Sequence, residues 1–448
     1  MQTPSPCDLL IRAGILVTQD VQRTVHFDGG LAIGQGLIIA SGPWSEVSAA
    51  HRAPQTLDLS RRLVLPGLVN THTHAAMTAF RGLADDLPLM DWLTDHIWPV
   101  EARLAPEIVY AGTLLACAEM LASGTTCFGD MYLFEPDSAR AVQRMGMRAV
   151  LGEGVLSFPT RAYDTPQQAF EHIETFTGSM RDSLLVRTAV APHAVYTTTP
   201  EVLQDSFALA ERLDLPWMIH AAESASETAE CLKQFGKRPV PYLADLGLLT
   251  PRSLLVHMVD IDETDIRLVA ESGAGVSHNP RSNMKLANGF CPVQQLMDAG
   301  IPVALGTDSA GSNNCLNMLA EMKAMALLQK VHRADPTVTK AASVLDAATL
   351  GGAHALGWPE LGRLAPGSAA DLTALDLDHP GLLPLYEPVS HTVYSATGAE
   401  VRLTMVAGNI VYQDGQFPAL PQDELNGLAT LLKQWALDKT ADDRRVFA

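Results

Sequence analysis

Two histidines one residue apart, in Asn70-Thr-His-Thr-His74, close a short apolar run. Side chains at i and i+2 of a strand share a face, so both imidazoles can reach one metal ion. Alone, the pair reads more often as two polar loop histidines. Other positions shift the balance. His220 ends Trp217-Met-Ile-His220, His257 ends Leu254-Leu-Val-His257, and Asp308 ends Val303-Ala-Leu-Gly-Thr-Asp308. His193 and His278 follow two further runs, in Ala191-Pro-His193 and Val276-Ser-His278. Core filling does not explain histidines and an aspartate recurring at the ends of apolar runs.

His72, His74, His220 and Asp308 therefore form a candidate ligand set. Three neutral imidazoles and a carboxylate suit a borderline metal and leave a position for water. The expectation is one divalent metal per subunit: zinc first, with iron(II) or manganese(II) as alternatives. Such a metal brings the pKa of a bound water from 15.7 toward about 7, supplying hydroxide near neutral pH. Asp308 can ligate and also accept the water's proton. Glu223, three residues beyond His220, is placed to shuttle a proton between substrate and leaving group. His257 either polarises the water or packs behind the ligands.

Rival chemistries lack their motifs. No G-x-x-x-x-G-K-[ST] occurs, and no G-x-G-x-x-G opens a helix. There is no G-x-S-x-G nucleophile elbow. The H-x-E…P-C-x-x-C signature of one zinc deaminase class is missing too.

The candidate residues need strands to carry them. Short buried-looking runs fall at 65–70, 125–129, 148–152, 186–191, 217–220, 254–257, 275–277 and 303–306. Amphipathic stretches such as 108–122 and 200–213 lie between them. Eight β-α units predict an α/β protein built on a closed (β/α)8 TIM-type barrel over 65–358, longer than the typical ~250 residues. The candidate residues then sit at strand C-termini, where such barrels keep their active sites. Brief glycine-punctuated runs at 9–14, 31–36 and 37–40 read as strands. So do 362–367, 370–375 and 401–411, with Gln413-Asp-Gly-Gln416 as a hairpin turn. Neither terminal piece can bury a core alone. Residues 1–64 and 359–448 are expected to pack together as one flanking β-sandwich, with a terminal helix over 423–439.

Bulk properties narrow the partners. The 448 residues carry 31 basic and 50 acidic side chains, a formal net charge of −19. That balance argues against nucleic acid and against anionic membranes. Six cysteines without C-x-x-C suggest no disulfide framework. No signal peptide and no 18-residue apolar span is evident, so a cytoplasmic location is expected.

Longer motifs carry a resemblance. Pro66-Gly-Leu-Val-Asn-Thr-His-Thr-His74, His220-Ala-Ala-Glu223, Ser277-His-Asn-Pro-Arg-Ser-Asn283, Gly306-Thr-Asp308 and Gly362-Arg-Leu-Ala-Pro-Gly-Ser-Ala-Ala-Asp371 resemble the amidohydrolase superfamily. Within it, Met77-Thr-Ala-Phe-Arg-Gly-Leu-Ala-Asp-Asp-Leu87, Trp92 and Pro99-Val-Glu101 are similar to the 5-methylthioadenosine/S-adenosylhomocysteine deaminases.

The resemblance implies hydrolytic deamination of 5'-methylthioadenosine, with S-adenosylhomocysteine or adenosine as further substrates. It maps His72, His74, His220 and Asp308 onto the metal ligands and Glu223 onto the proton shuttle. It implies that Glu101 binds the ribose hydroxyls, that His193 contacts the purine, and that Trp92 packs near the nucleoside. Read without it, Glu101 is a solvated carboxylate at a helix start, and Trp92 and Trp98 are core residues. Related two-metal sites use a carboxylated lysine after the fourth strand; 186–193 has none, which favours one metal. Homo-oligomerisation is a further family-level expectation.

Some members carry an arginine near position 153, where it would meet the homocysteine carboxylate. Glu153 stands there instead, so repulsion predicts a preference for 5'-methylthioadenosine, unless Arg161 compensates. The alternatives are a guanine or pyrimidine deaminase, an s-triazine hydrolase of the same superfamily, or an inactive scaffold on the same fold.

Overall fold

The computed structural model describes residues 4–438. Its centre is a barrel of eight parallel strands: β1 Leu68–Thr73, β2 Thr125–Tyr132, β3 Arg148–Val155, β4 Val186–Pro192, β5 Trp217–Ala221, β6 Ser253–His257, β7 Gly275–His278 and β8 Val303–Leu305. They run in chain order around the barrel, each parallel to the next. β1, β2, β3, β5 and β6 are buried along their whole length, as strands covered on both faces must be. Some of the helices that alternate with them carry side-chain caps. Pro200–Leu213, for instance, opens with the Thr199 hydroxyl accepting from the Val202 N–H.

β8 and β1 close the barrel without a regular ladder. The Asn70 side chain stands in for one: its Nδ2 donates to Thr307 Oγ1 at 2.8 Å, and its Oδ1 accepts from Thr307 N at 2.9 Å. Beyond it, Asp308 N donates to His72 O at 2.9 Å. Two residues that the sequence marks for chemistry thus lie on the closing seam.

Both chain ends contribute to one flanking seven-stranded sheet. Its spatial order is Asn409–Gln413, Val401–Val406, Leu372–Asp376, Gln55–Pro66, Leu9–Val17, Val25–Gly34 and Leu37–Pro43. Ile11, Leu16, Leu31, Val64, Leu372 and Met405 come from both ends and share one apolar core. Arg148 at the start of β3 ties this sheet to the barrel through two hydrogen bonds to buried Asp371, at 2.8 and 3.1 Å. Gly67 lets the chain pass from sheet to barrel, because a Cβ there would meet Thr126 Oγ1 at 2.0 Å.

Several terminal elements differ from the expectation. Residues 65 and 66 belong to the flanking sheet, and β1 begins after Gly67. The segment 362–367 forms turns, with Gly362 and Gly367 at positive φ. The single strand expected over 401–411 is a hairpin, broken where Ala407 and Gly408 both take positive φ. The terminal helix is Gln422–Leu437; residue 439, its expected end, lies outside the described residues.

That helix packs onto the long connection after β1. Leu432 shares a cluster with Phe80, Trp92, Ile97 and Leu104, and the Trp435 ring meets Phe80 edge-on at 5.7 Å. Among the described residues no single helix is long and apolar enough to cross a membrane.

Candidate active site

Strand ends bring the marked residues to one point. The Nε2 atoms of His72 and His220 are 3.2 Å apart. Asp308 Oδ1 lies 3.6 Å from His72 Nε2 and 3.4 Å from His74 Nε2. Ligand atoms of His72, His74 and Asp308 fall within 4.8 Å of one another, as do those of His72, His220 and His257. Asp308 and His257 both hold left-handed backbone, at φ 61° and 79°. Non-glycine residues adopt that region rarely, and such strain clusters at functional sites.

Neighbouring groups aim the rings. His74 Nδ1 meets Met131 O, and His220 Nδ1 lies 2.7 Å from His193 O. A carbonyl only accepts, so both rings carry their proton on Nδ1 and turn the Nε2 lone pair inward. His257 Nδ1 lies 2.9 Å from Asn283 Oδ1, which fixes that ring the same way. Asp308 Oδ2 accepts from Ser282 Oγ at 2.6 Å, and Oδ1 from Ser309 N at 2.7 Å.

Electrostatics agree. Burial drops the His72 imidazolium to about 4 and holds His220 well below its ordinary value. Burial alone would raise Asp308, but its bond to His72 and the surrounding histidines outweigh burial and hold it well below the carboxylate range. Inward Nε2 lone pairs on His74 and His220, a His72 ring held below its ordinary value and an ionised Asp308 make a donor set suited to a divalent cation, so the residues fit a metal. The fourth strand supplies His193, not lysine.

The cluster opens into a cavity lined by Glu223, His193, Glu101, Trp92, Trp98 and Arg161, with apolar side chains including Leu133, Leu156, Phe158 and Leu286. Burial raises the Glu223 carboxyl, while His257 pulls the other way. Glu223 Oε1 accepts from Asn288 Nδ2 at 3.0 Å, and Oε2 lies 3.9 Å from His257 Nε2. Burial pushes His193 down to about 3, and its Nδ1 lies 2.9 Å from Thr197 Oγ1. Burial also raises Glu101, which accepts a hydrogen bond from Tyr132.

Glu153 requires a correction. It lies outside the cavity lining, and its carboxylate accepts from Phe134 N at 3.0 Å and Glu135 N at 2.9 Å. Alternation along β3 turns it away from the face on which Gly154 lines the cavity. The expected repulsion of a substrate carboxylate has no geometric basis here. Arg161, named only as a compensator, does line the cavity.

His278 does not join the cluster's donor sets. It is fully buried at the end of β7, and among the described residues neither ring nitrogen has a hydrogen-bond partner. Sequence reasoning missed Tyr132, Tyr196 and Asn288. Tyr132 ends β2 two residues after Asp130, a spacing that could have drawn notice; Asn288 lies in a loop without any signal.

Residues 63–411 match the amidohydrolase family. A protein of Nitratidesulfovibrio vulgaris named 5-methylthioadenosine/S-adenosylhomocysteine deaminase is 55% identical, over 97% of this chain and 99% of its own. A 5'-deoxyadenosine deaminase of Methanothermobacter thermautotrophicus is 45% identical, over 84% of this chain and 88% of its own. The crystal structure of an adenosine deaminase from Xanthomonas campestris with bound zinc superposes with a TM-score of 0.95 at 39% identity, covering 97% of this chain and 99% of that one.

Proposed function

The chain belongs to the amidohydrolase family, and on that premise we propose that it hydrolytically deaminates 5'-substituted adenosines, foremost 5'-methylthioadenosine, using one zinc ion per chain. The relatives named for this activity support the reading. The observation that carries it is one cavity joining the histidine–aspartate cluster to the Glu101 carboxylate. A free base or a triazine offers no diol to Glu101; a nucleoside does.

His72, His74, His220 and Asp308 are the proposed ligands. A divalent metal held there supplies Lewis acidity, lowering the pKa of water from 15.7 toward about 7. The protein divides the proton work between two carboxyls whose environments push them apart. Asp308 stays ionised and accepts the proton of the attacking water. Glu223, raised by burial, holds a proton nearer neutrality and delivers it to purine N1. His257, itself raised by Glu223 and Asp308 against its burial, steadies negative charge growing on the attacking oxygen. After addition at C6, the proton taken up by Asp308 passes to the amino group. The remaining proton on the added oxygen returns to Glu223 as the C6–N bond breaks, so ammonia leaves, the inosine analogue forms and Glu223 is reprotonated.

His193 contacts the purine from the end of β4, and Glu101 accepts the ribose hydroxyls. Arg161, the one guanidinium on the lining among the described residues, suits the homocysteine carboxylate of S-adenosylhomocysteine as a further substrate. Product analysis tests the proposal. One equivalent each of 5'-methylthioinosine and ammonia per methylthioadenosine consumed supports it. Release of free adenine, or no reaction, contradicts it.

A further inference from the structure

Tyr132 ends β2 inside the cavity, and its hydroxyl donates to Glu101 Oε1 at 2.5 Å. Among the described residues, no other hydrogen bond is recorded for the Glu101 carboxylate. It would otherwise be free to rotate on a half-buried side chain at the end of the short helix Trp98–Glu101.

The tyrosine is itself firmly held. Its N–H donates to buried Glu135 Oε1 at 3.1 Å. Glu153 takes the amides of Phe134 and Glu135, around a turn in which Phe134 is left-handed at φ 60°. On the other side, Asp130 Oδ1 accepts from Thr73 Oγ1 and Ala75 N, both at 2.8 Å, and so grips the segment that carries His74. Three buried carboxyls thus brace residues 130–135, which present Tyr132 to Glu101 at one end and the Met131 carbonyl to His74 at the other. A surface turn that only connected two elements would not need this brace.

Resting on the ribose role proposed for Glu101, we propose that Tyr132 is a positioning residue that presets the Glu101 carboxylate for a vicinal diol. Tyr132 thereby sets the discrimination between ribonucleosides and 2'-deoxyribonucleosides. With Oε1 fixed by the phenol, the carboxylate meets the two hydroxyls without first being ordered. The tyrosine also opposes the upward push of burial on Glu101, helping to keep the carboxylate ionised.

The test compares kcat/KM for 5'-deoxyadenosine and 2',5'-dideoxyadenosine in the metal-loaded wild type, Tyr132→Phe and Glu101→Ala. Tyr132→Phe is expected to lower the ribo-to-deoxy ratio roughly tenfold, the effect of losing a hydrogen bond to a charged group. The loss should fall on KM for the ribonucleoside, with the dideoxy substrate unchanged. The acid limb of its kcat/KM profile should also move to higher pH, because Glu101 then protonates earlier. Glu101→Ala should collapse the ratio further. An unchanged ratio in Tyr132→Phe beside a collapsed one in Glu101→Ala would overturn the role of Tyr132. Equal losses for both nucleosides, with a lowered Tm, would overturn it in favour of a purely structural role. An unchanged ratio in Glu101→Ala, with deamination intact, would instead remove the ribose role of Glu101 and this proposal with it.

Discussion

His72 and His220 stand 148 positions apart in the chain, yet their Nε2 atoms meet at 3.2 Å. Because His220 commits its Nδ1–H to the His193 carbonyl, its Nε2 can only offer a lone pair to that meeting point. Two imidazoles converging this closely are poorly matched unless a proton or a cation lies between them. With both rings held below their ordinary pKa, neither is an imidazolium near neutrality, so the contact is bridged either by the Nε2–H of a neutral His72 or by a cation that displaces that proton. His220→Ala should therefore fold but lose metal affinity by at least the roughly 10–100-fold that follows loss of an outer-shell partner. Metal content after dialysis against a chelator series measures this. Retention equal to wild type would remove His220 from the ligand set.

Glu223 and Asp308 line the same cavity with opposite pKa shifts. Glu223→Gln removes the transferable proton but little volume. Turnover should fall by roughly 10²–10⁴-fold, the usual worth of a positioned acid–base group. Metal content should stay at the wild-type level. Near-normal kcat would mean the proton travels by another route.

Arg161, not Glu153, is placed to read the 5' substituent. Arg161→Ala should reduce kcat/KM for S-adenosylhomocysteine roughly tenfold or more relative to 5'-methylthioadenosine, as expected for a lost charge-assisted bond. Glu153→Gln should leave that ratio unchanged, because its carboxylate engages backbone amides behind the cavity. A ratio that moves with Glu153 and not with Arg161 would reverse the assignment.

Buried titratable groups give the metal-free protein a specific pH dependence. Burial raises Glu153 to about 7, and Glu227 and Glu321 to about 8. The unfolded chain releases those protons near 4.3, so the native state binds more protons as pH climbs toward 8. By linkage, stability then falls with rising pH. Burial lowers His193 and His278 to about 3, which has the opposite sign but acts only below about 6.5. Between pH 6.5 and 8.5 the carboxyls act unopposed by these histidines. The Tm of chelator-treated protein should therefore decline across that interval. A flat or rising Tm would show that these carboxyls ionise normally in the folded chain.

Much of the barrel is legible in the sequence for a physical reason. Its strands are buried on both faces and read as apolar runs, and His220 and His257 fall at their ends. The flanking sheet is harder. The run 401–411 looks continuous because its turn, Ala407-Gly408, is too short to interrupt the apolar pattern. The strand over residues 55–66 runs almost directly into β1, so a boundary at 65 could not separate two sheets joined through one glycine. Within the site, the convergence of His72, His74, His220 and Asp308 follows from strand-end positions. Glu101 needed the resemblance, since its partner Tyr132 reaches it from another element. Glu153 was misplaced by judging charge without the two-residue alternation that turns it outward.

A zinc titration of chelator-stripped enzyme, followed by the ultraviolet change of 5'-methylthioadenosine as its purine becomes the inosine form, tests metal and substrate together. Turnover should be absent without metal, rise linearly to one zinc per chain, and plateau beyond it. Full activity in the stripped enzyme would contradict the metal role. A metal-dependent enzyme that converts guanine or a triazine but leaves the nucleoside untouched would contradict the substrate.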